Sequence, residues 1–135
     1  MFSQDIHPEK QKKILVVDSE PKVSELIALV LQESHFQVVE RSDFEDFQAL
    51  IDDENPHLII IDPSLNQGRY RANFYKIFLN EVNKGELKFL LLGPPECKKD
   101  YEELKVEGLV DYCVKPFSPK ELNCEIHNLI NAFGA

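Results

Sequence analysis

The unbroken apolar run Leu58-Ile59-Ile60-Ile61, which ends at Asp62, is the feature that most constrains how this chain can fold. A strand with one face in water alternates apolar and polar residues, whereas a continuous apolar run is typical of a strand buried on both faces. Charged residues also follow two other apolar runs: Asp18 follows residues 14 to 17, and Lys115 follows residues 112 to 114. The pattern predicts a sheet that is covered on both faces and carries charged side chains at its strand ends.

Helical stripes separate the apolar runs. Strands are predicted at residues 13–18, 36–40, 57–62, 87–92 and 109–114, and helical stripes at 23–31, 44–51, 74–82, 96–106 and 122–133. The first helix is expected to end near residues 34 and 35, and a long polar loop is expected from Pro63 to about Arg71. Ser118, Pro119 and Glu121 form a capping-box pattern that predicts the start of the last helix. Strict alternation of strands and helices implies an α/β fold, a doubly wound parallel sheet with right-handed crossover helices on both faces.

The composition is that of a soluble globular protein, with 43% hydrophobic and 29% charged residues in a chain of 135. Residues 13–135 are predicted to form one domain, and residues 1–12, which lack apolar periodicity, a flexible leader. No apolar stretch approaches the roughly 20 residues that span a bilayer. The amino terminus also lacks a secretory signal. A cytoplasmic protein without a membrane partner is therefore predicted.

The composition also argues against several kinds of ligand and partner. Three cysteines form neither a C-x-x-C pair nor an even set, so reduced thiols are expected, and four scattered histidines show no metal-ligand spacing. A net charge of -9 and a pI near 4.9 argue against a nucleic-acid partner, which requires clustered Lys and Arg. With neither a G-x-G-x-x-G fingerprint nor a Walker motif, the sequence gives little support to a nucleotide-dependent enzyme.

Three stretches resemble the receiver domain of bacterial two-component response regulators: residues 14–18 (ILVVD), 55–62 (NPHLIIID) and 108–117 (GLVDYCVKPF). The resemblance covers nearly all of residues 13 to 133, and the Lys-Pro-Phe after an apolar strand is its most specific part. It implies a flavodoxin-like (βα)5 fold whose five parallel strands are ordered 2-1-3-4-5.

The resemblance also implies a chemistry, namely transfer of a phosphoryl group from a histidine kinase to Asp62. Asp18 and Glu20 would form the acidic pocket, and a metal ion, if bound, would be held by Asp18, Asp62 and the backbone carbonyl of Ser64. Lys115 would clamp the phosphoryl oxygens. Tyr112 stands at the position of the aromatic switch residue, and is interpreted here as a fixed packing or interface aromatic. Positioning and electrostatic stabilisation are what such a transfer requires.

Three positions depart from the family pattern. Ser19 stands where the family has a second acid, so Mg²⁺ is expected to be optional and more weakly held. Gly93 and Pro94 replace a Ser or Thr hydroxyl and a backbone N–H that bind the phosphoryl group. A hydrogen bond to a charged group is worth roughly 1.5 to 3 kcal/mol, so two losses amount to about 3 to 6 kcal/mol. The sequence therefore predicts a degenerate receiver in which Lys115 pairs permanently with Asp18 and Asp62.

The predicted function is that of a stand-alone signalling domain that binds a protein, either a histidine kinase or a downstream effector, as a monomer or weak homodimer. The expected contact surface is helix four, strand five and helix five, with candidates Lys98, Lys99, Tyr101, Glu102, Tyr112, Phe117 and Lys120. No enzymatic activity is expected beyond self-phosphorylation and dephosphorylation at Asp62. Two alternatives stay open: a phosphoacceptor receiver that works through Asp62, and a flavodoxin-like enzyme or small-ligand binder.

Overall fold

A computed structural model describes residues 12–31, 36–42, 44–63 and 71–130. Within them the strands are β1 (Lys13–Val17), β2 (Gln37–Arg41), β3 (Leu58–Ile61), β4 (Lys88–Gly93) and β5 (Val110–Val114). The helices are α1 (Pro21–Leu31), α2 (Phe47–Glu54), α3 (Arg71–Lys84), α4 (Lys98–Leu104) and α5 (Pro119–Ile130). A 3₁₀ turn at Pro95–Cys97 leads into α4.

The strands form a single sheet in the order β2-β1-β3-β4-β5, and every neighbouring pair is parallel. In the centre of the sheet, Val16 of β1 lies beside Ile60 of β3, which lies beside Leu90 of β4. The α/β class, the parallel sheet and the strand order predicted from the sequence are confirmed. All five strands consequently point their carboxyl ends to one edge.

Alternate residues of the central strands enter two separate cores, which explains the unbroken apolar runs. On one face Ile59 and Ile61 pack with Phe47, Phe74 and Phe78 from α2 and α3. On the other face the neighbouring strand residues pack against α1 and α5, through Leu58, Ile60, Ile27, Leu122 and Ile126. Burial of both faces leaves only the strand ends for polar side chains.

Several boundaries differ from the predicted ones. Helix α4 covers Lys98–Leu104 rather than residues 96–106, because residues 95–97 form a 3₁₀ turn and the backbone at Lys105 is extended. The predicted capping box of α5 is present: Ser118 Oγ accepts from the Glu121 N–H at 3.1 Å, and Glu121 Oε1 accepts from the Ser118 N–H at 3.2 Å. The first helix's predicted end, most of the leader and residues 64–70 of the loop lie outside the described residues.

The longest described helix, α3, has 14 residues. In the described ranges, none of the helices combines the length and hydropathy that a bilayer crossing needs.

Candidate functional site

The site begins with the ends of β1, β3 and β5, which the parallel sheet brings to one edge. The Asp18 N–H donates to the Arg41 carbonyl at 3.1 Å, and the Asp62 N–H donates to the Val17 carbonyl at 3.2 Å. The Lys115 N–H donates to the Gly93 carbonyl at 2.7 Å. Each charged residue therefore continues a ladder of backbone hydrogen bonds by one step beyond its strand. This placement follows directly from the parallel pairing.

Lys115 gathers three carboxylates around its ammonium group. Its Nζ lies 2.7 Å from Asp62 Oδ2, 2.9 Å from Asp18 Oδ2 and 2.7 Å from Glu20 Oε1. The side chains of Asp18 and Asp62 are 0% and 8% exposed, whereas that of Glu20 is 61% exposed. Burial alone lowers the pKa of Lys115, but its bonds to the carboxylates, Asp62 first, outweigh burial and raise the pKa. The lysine is therefore a permanent cation at this edge.

Asp18 is the most deeply buried acid of the site. Its Oδ1 accepts a hydrogen bond from the Glu20 N–H at 2.8 Å, whereas the contact of Oδ2 with Lys115 is an ion pair without hydrogen-bond geometry. Burial raises the pKa of Asp18 even though Lys115 and the Glu20 amide act in the opposite direction. Oδ2 therefore retains unused acceptor capacity toward the interior of the cluster.

Asp18, Glu20 and Asp62 place one carboxylate oxygen each within 4.8 Å of one another. Three carboxylate oxygens at this spacing fit a hard divalent cation such as Mg²⁺. Glu20 enters the cluster because its amide bonds to Asp18 and turns the chain. Ser19 has no carboxylate to add. Ser64, whose carbonyl was predicted as a further ligand, lies outside the described residues.

Gly93 is the last residue of β4 and is buried, and Pro94 follows it and is half-buried. A Cβ added at Gly93 would lie 2.7 Å from the hydroxyl oxygen of Tyr101, closer than real Cβ contacts allow. Tyr101 is only 2% exposed, so its prediction as a surface contact is wrong. Tyr101 packs inward from the helix predicted at residues 96–106, and sequence reasoning did not connect it with Gly93.

Tyr112 lies at the outer side of β5 and is half-buried. Its hydroxyl donates to Glu102 Oε1 of α4 at 3.2 Å, and its ring centroid is 6.3 Å from that of Tyr101. Tyr112 therefore connects the exposed face of α4 with β5.

An open cavity of about 520 Å³ lies over the Asp62 edge. Its charged lining comes from Glu20, Lys22, Asp62 and Lys115, and its apolar lining includes Val23, Leu26 and Phe117. The carboxylates of Glu20 and Asp62 thus line a cavity that opens to solvent between α1 and the β5–α5 connection, whereas the carboxylate of Asp18 is buried behind it.

A second acidic pair lies on the α4–β5–α5 side, where Glu125 faces Asp111, with Lys105 and Asn128 nearby. Burial raises the pKa of Glu125 from 4.5 to about 7, and its hydrogen bond and charge repulsion with Asp111 add to the rise. The folded protein then binds a proton that the unfolded chain has released, so stability falls as pH rises from 4.5 to about 7.

We expect Glu125→Gln to flatten this part of the stability profile, because an amide does not titrate. Since Glu125 is partly exposed and screened, the change should be less than about 1 kcal/mol. Urea unfolding across this pH range measures it, with the exposed Glu103→Gln as the control. If the stability profile of Glu125→Gln is unchanged, proton uptake by Glu125 does not contribute to the pH dependence of stability.

Comparison with proteins of known sequence identifies the family to which this chain belongs. Residues 14–127 match the family model of the response regulator receiver domain. The phosphate regulon transcriptional regulatory protein PhoB of Escherichia coli is 33% identical over 119 residues, 85% of this chain. The alkaline phosphatase synthesis transcriptional regulatory protein PhoP of Bacillus subtilis is 32% identical over 123 residues, 88% of this chain. The chain spans about half the length of these curated relatives, 50% and 48% respectively.

Solved structures agree with the sequence matches. The signal receiver domain of a response regulator from Bermanella marisrubri is 27% identical, with a TM-score of 0.70 over 90% of this chain and 100% of that one. The response regulator DrrB of Thermotoga maritima is 25% identical, with a TM-score of 0.67 over 90% of this chain and 53% of that one. With its parallel sheet and its acids and lysine at the strand ends, this chain belongs to the response regulator receiver domain family.

Proposed function

We propose that this chain is a receiver-type signalling domain that acts by binding a protein partner, and that phosphorylation of its Asp62 is impaired. The observation that carries the proposal is the contact of Lys115 with Asp62, Asp18 and Glu20 at 2.7 to 2.9 Å. A phosphoryl group on Asp62 has to share a lysine that already neutralises two other carboxylates.

The end of β4 adds to the impairment. Pro94 has no N–H to donate, and Gly93 has no hydroxyl. Each missing hydrogen bond to a charged group is worth roughly 1.5 to 3 kcal/mol, so the phosphorylated state is less stable than in a receiver with both donors. In the proposed reaction a carboxylate oxygen of Asp62 forms a bond to the phosphorus atom of the phosphoryl donor. The bond between that phosphorus and the donor breaks, and the phosphoryl group is transferred with its charge.

We propose Mg²⁺ as the metal that this site takes, held by Asp18, Glu20 and Asp62. Both aspartates are buried, and all three residues offer oxygen ligands within 4.8 Å of one another. When bound, the ion supplies positive charge to the transferring phosphoryl group. Asp18 must be ionised to bind it, so its raised pKa weakens metal binding in acid.

The proposed contact surface for the partner is the exposed side of α4, β5 and α5. It carries both signs of charge, in exposed residues that include Lys98, Lys99, Glu102, Lys120 and Glu121. Tyr112 and Phe117 add half-buried aromatic area beside them. Such a mixed surface fits a histidine kinase, an effector or a second copy of the chain, the last as a weak homodimer.

We propose further that this domain itself does not contact nucleic acid and that it is cytoplasmic. The net charge of -9 opposes a phosphate backbone. The transcriptional roles that name the relatives belong to proteins about twice as long as this chain.

Glu20 favours a second candidate function, that of an efficient phosphoacceptor. Its carboxylate joins Asp18 and Asp62, so the acid that Ser19 fails to provide is present one residue later. A function as an enzyme or small-ligand binder has less support. The cavity of about 520 Å³ that could hold a ligand is the opening of the Asp62 site itself.

Incubation with acetyl phosphate and Mg²⁺, followed by intact-mass measurement, tests the proposal. We expect a minor fraction of the chain to gain one phosphoryl group, and the Asp62→Asn variant to gain none. Stoichiometric, Asp62-dependent phosphorylation would establish the efficient phosphoacceptor and exclude impairment.

A Mg²⁺ titration of matched variants tests the metal site. Glu20→Gln should weaken Mg²⁺ binding on the order of tenfold because it removes one charged ligand. Ser19→Ala should leave the affinity unchanged because a neutral hydroxyl is a far weaker ligand for Mg²⁺ than a carboxylate. Equal affinities for the two variants would remove Glu20 from the metal site.

A further inference from the structure

The hydroxyl of Tyr101 lies in space that a side chain at Gly93 would otherwise occupy. The tyrosine belongs to α4, but its ring reaches the end of β4, and its hydroxyl oxygen lies 2.7 Å from the Cβ position of residue 93. Ser or Thr at residue 93 would place its own hydroxyl in this region. The fold therefore supplies a hydroxyl from a helix at the point where the strand supplies none.

A gap in the backbone ladder explains where this hydroxyl is bonded. Lys88 donates to the His57 carbonyl, so alternate residues of β4, including Leu92, direct their backbone groups toward β3. With Ile61 opposite Leu91, the residue placed to donate to the Leu92 carbonyl is Pro63, which has no N–H. The Tyr101 hydroxyl donates to that carbonyl instead, at 2.9 Å.

We propose that Tyr101 is the phosphoryl-binding hydroxyl of this receiver, and that it turns from the Leu92 carbonyl to an anion carried on Asp62. The inference rests on the proposed function, since it requires Asp62 to accept a phosphoryl group, even inefficiently. The phenol keeps its proton, because burial raises the pKa of Tyr101 and the charges of Cys97 and Asp62 raise it further. The register of β3 and β4 carries Leu92 opposite Asp62, so the Leu92 carbonyl holds this donor at the same edge of the sheet as Asp62.

The consequence is a direct connection from Asp62 to the proposed contact surface. Tyr101 and Glu102 are consecutive in α4, and Glu102 accepts the hydrogen bond of Tyr112. A movement of Tyr101 toward Asp62 would pull on α4, which holds the Tyr112 hydroxyl through Glu102. In this arrangement the modification is sensed by α4 itself rather than by the end of β4.

Binding of beryllium fluoride in the presence of Mg²⁺ tests the inference, because this anion attaches to a carboxylate as a phosphoryl group does. Tyr101→Phe keeps the ring and removes the hydroxyl, and should weaken beryllium fluoride binding roughly tenfold to a hundredfold. The control, Glu103→Gln on the exposed face of α4, leaves the contacts of Tyr101 in place and should leave the affinity within about twofold. In the unmodified protein, the ¹³Cζ resonance of Tyr101 should shift when the anion binds.

The outcomes separate this inference from the proposed function. Equal affinity of the unmodified protein and Tyr101→Phe would overturn the role of Tyr101 and leave phosphorylation of Asp62 intact. Tyr101→Phe could also lose as much affinity for Mg²⁺, measured without beryllium fluoride, as it loses for beryllium fluoride. That result would show that Tyr101 is merely structural and would overturn its proposed role as well. If the unmodified protein fails to bind beryllium fluoride while Asp62→Asn behaves identically, both the role of Tyr101 and phosphoryl acceptance are excluded.

Discussion

Lys115→Met lowers the free energy of unfolding near neutral pH by about 3 kcal/mol, in the range expected when one partner of a buried ion pair is removed. The side chains of Asp18 and Asp62 are 0% and 8% exposed, and both lose the ammonium group that lies within 2.9 Å. Lowering the pH should reduce the deficit, because burial raises the pKa of Asp18 and loss of Lys115 removes a contact that opposes this rise, so the folded variant takes up a proton more readily. Urea unfolding near neutral pH and in acid measures both effects.

Lys105→Met is the matched control for that experiment. Lys105 pairs with Asp111 at 3.8 Å, but its side chain is 51% exposed, so its loss should cost less than about 1 kcal/mol. Millimolar Mg²⁺ should restore part of the stability of Lys115→Met, since a cation between the carboxylates replaces the lost charge. If the two variants lose the same stability, the carboxylate cluster does not depend on Lys115.

The fold and three members of the site were predictable because burial on both faces leaves a clear pattern in sequence. A strand such as β3 has to be apolar at every position, so Asp62 marks its end without ambiguity. The same logic placed Asp18 and Lys115, since parallel strands bring their carboxyl ends together. Boundaries of α4 were less accurate because a short helix with one fully buried side chain gives a weak periodic signal.

The rest of the site depends on contacts that periodicity does not report. Glu20 was expected in the acidic pocket from the family resemblance, but its place there depends on the bond of its amide to Asp18, a turn that no repeat of apolar residues predicts. Tyr101 could be predicted to face inward, but its bond to Leu92 arises from the packing of α4 against β4. Position-by-position reasoning about Gly93 therefore identified a missing hydroxyl and overlooked the residue that fills its space.

Gly93→Thr, which introduces the residue type expected of a receiver, should destabilise this protein by roughly 3 kcal/mol because it overpacks a buried site. The new Cβ would lie 2.7 Å from the hydroxyl oxygen of Tyr101 and 2.9 Å from its Cε2. Tyr101→Ala on its own should cost about 3 to 5 kcal/mol through loss of a large buried ring. Urea unfolding of the single and double variants measures their coupling.

In the double variant Gly93→Thr/Tyr101→Ala the cost of the threonine should disappear, since its side chain enters space that the ring has left. The coupling energy should therefore reach about 1 to 3 kcal/mol, whereas distant sites are additive. Gly85→Ala is the control, because residue 85 has a φ of 73° and no neighbour within 4 Å of an added Cβ. Its cost comes from backbone strain alone and should be the same with or without Tyr101.

Additive costs for Gly93→Thr and Tyr101→Ala would mean that glycine at 93 is required for another reason. Strong coupling, with beryllium fluoride affinity restored by the new threonine, would show that the hydroxyl of this site can come either from residue 93 or from Tyr101.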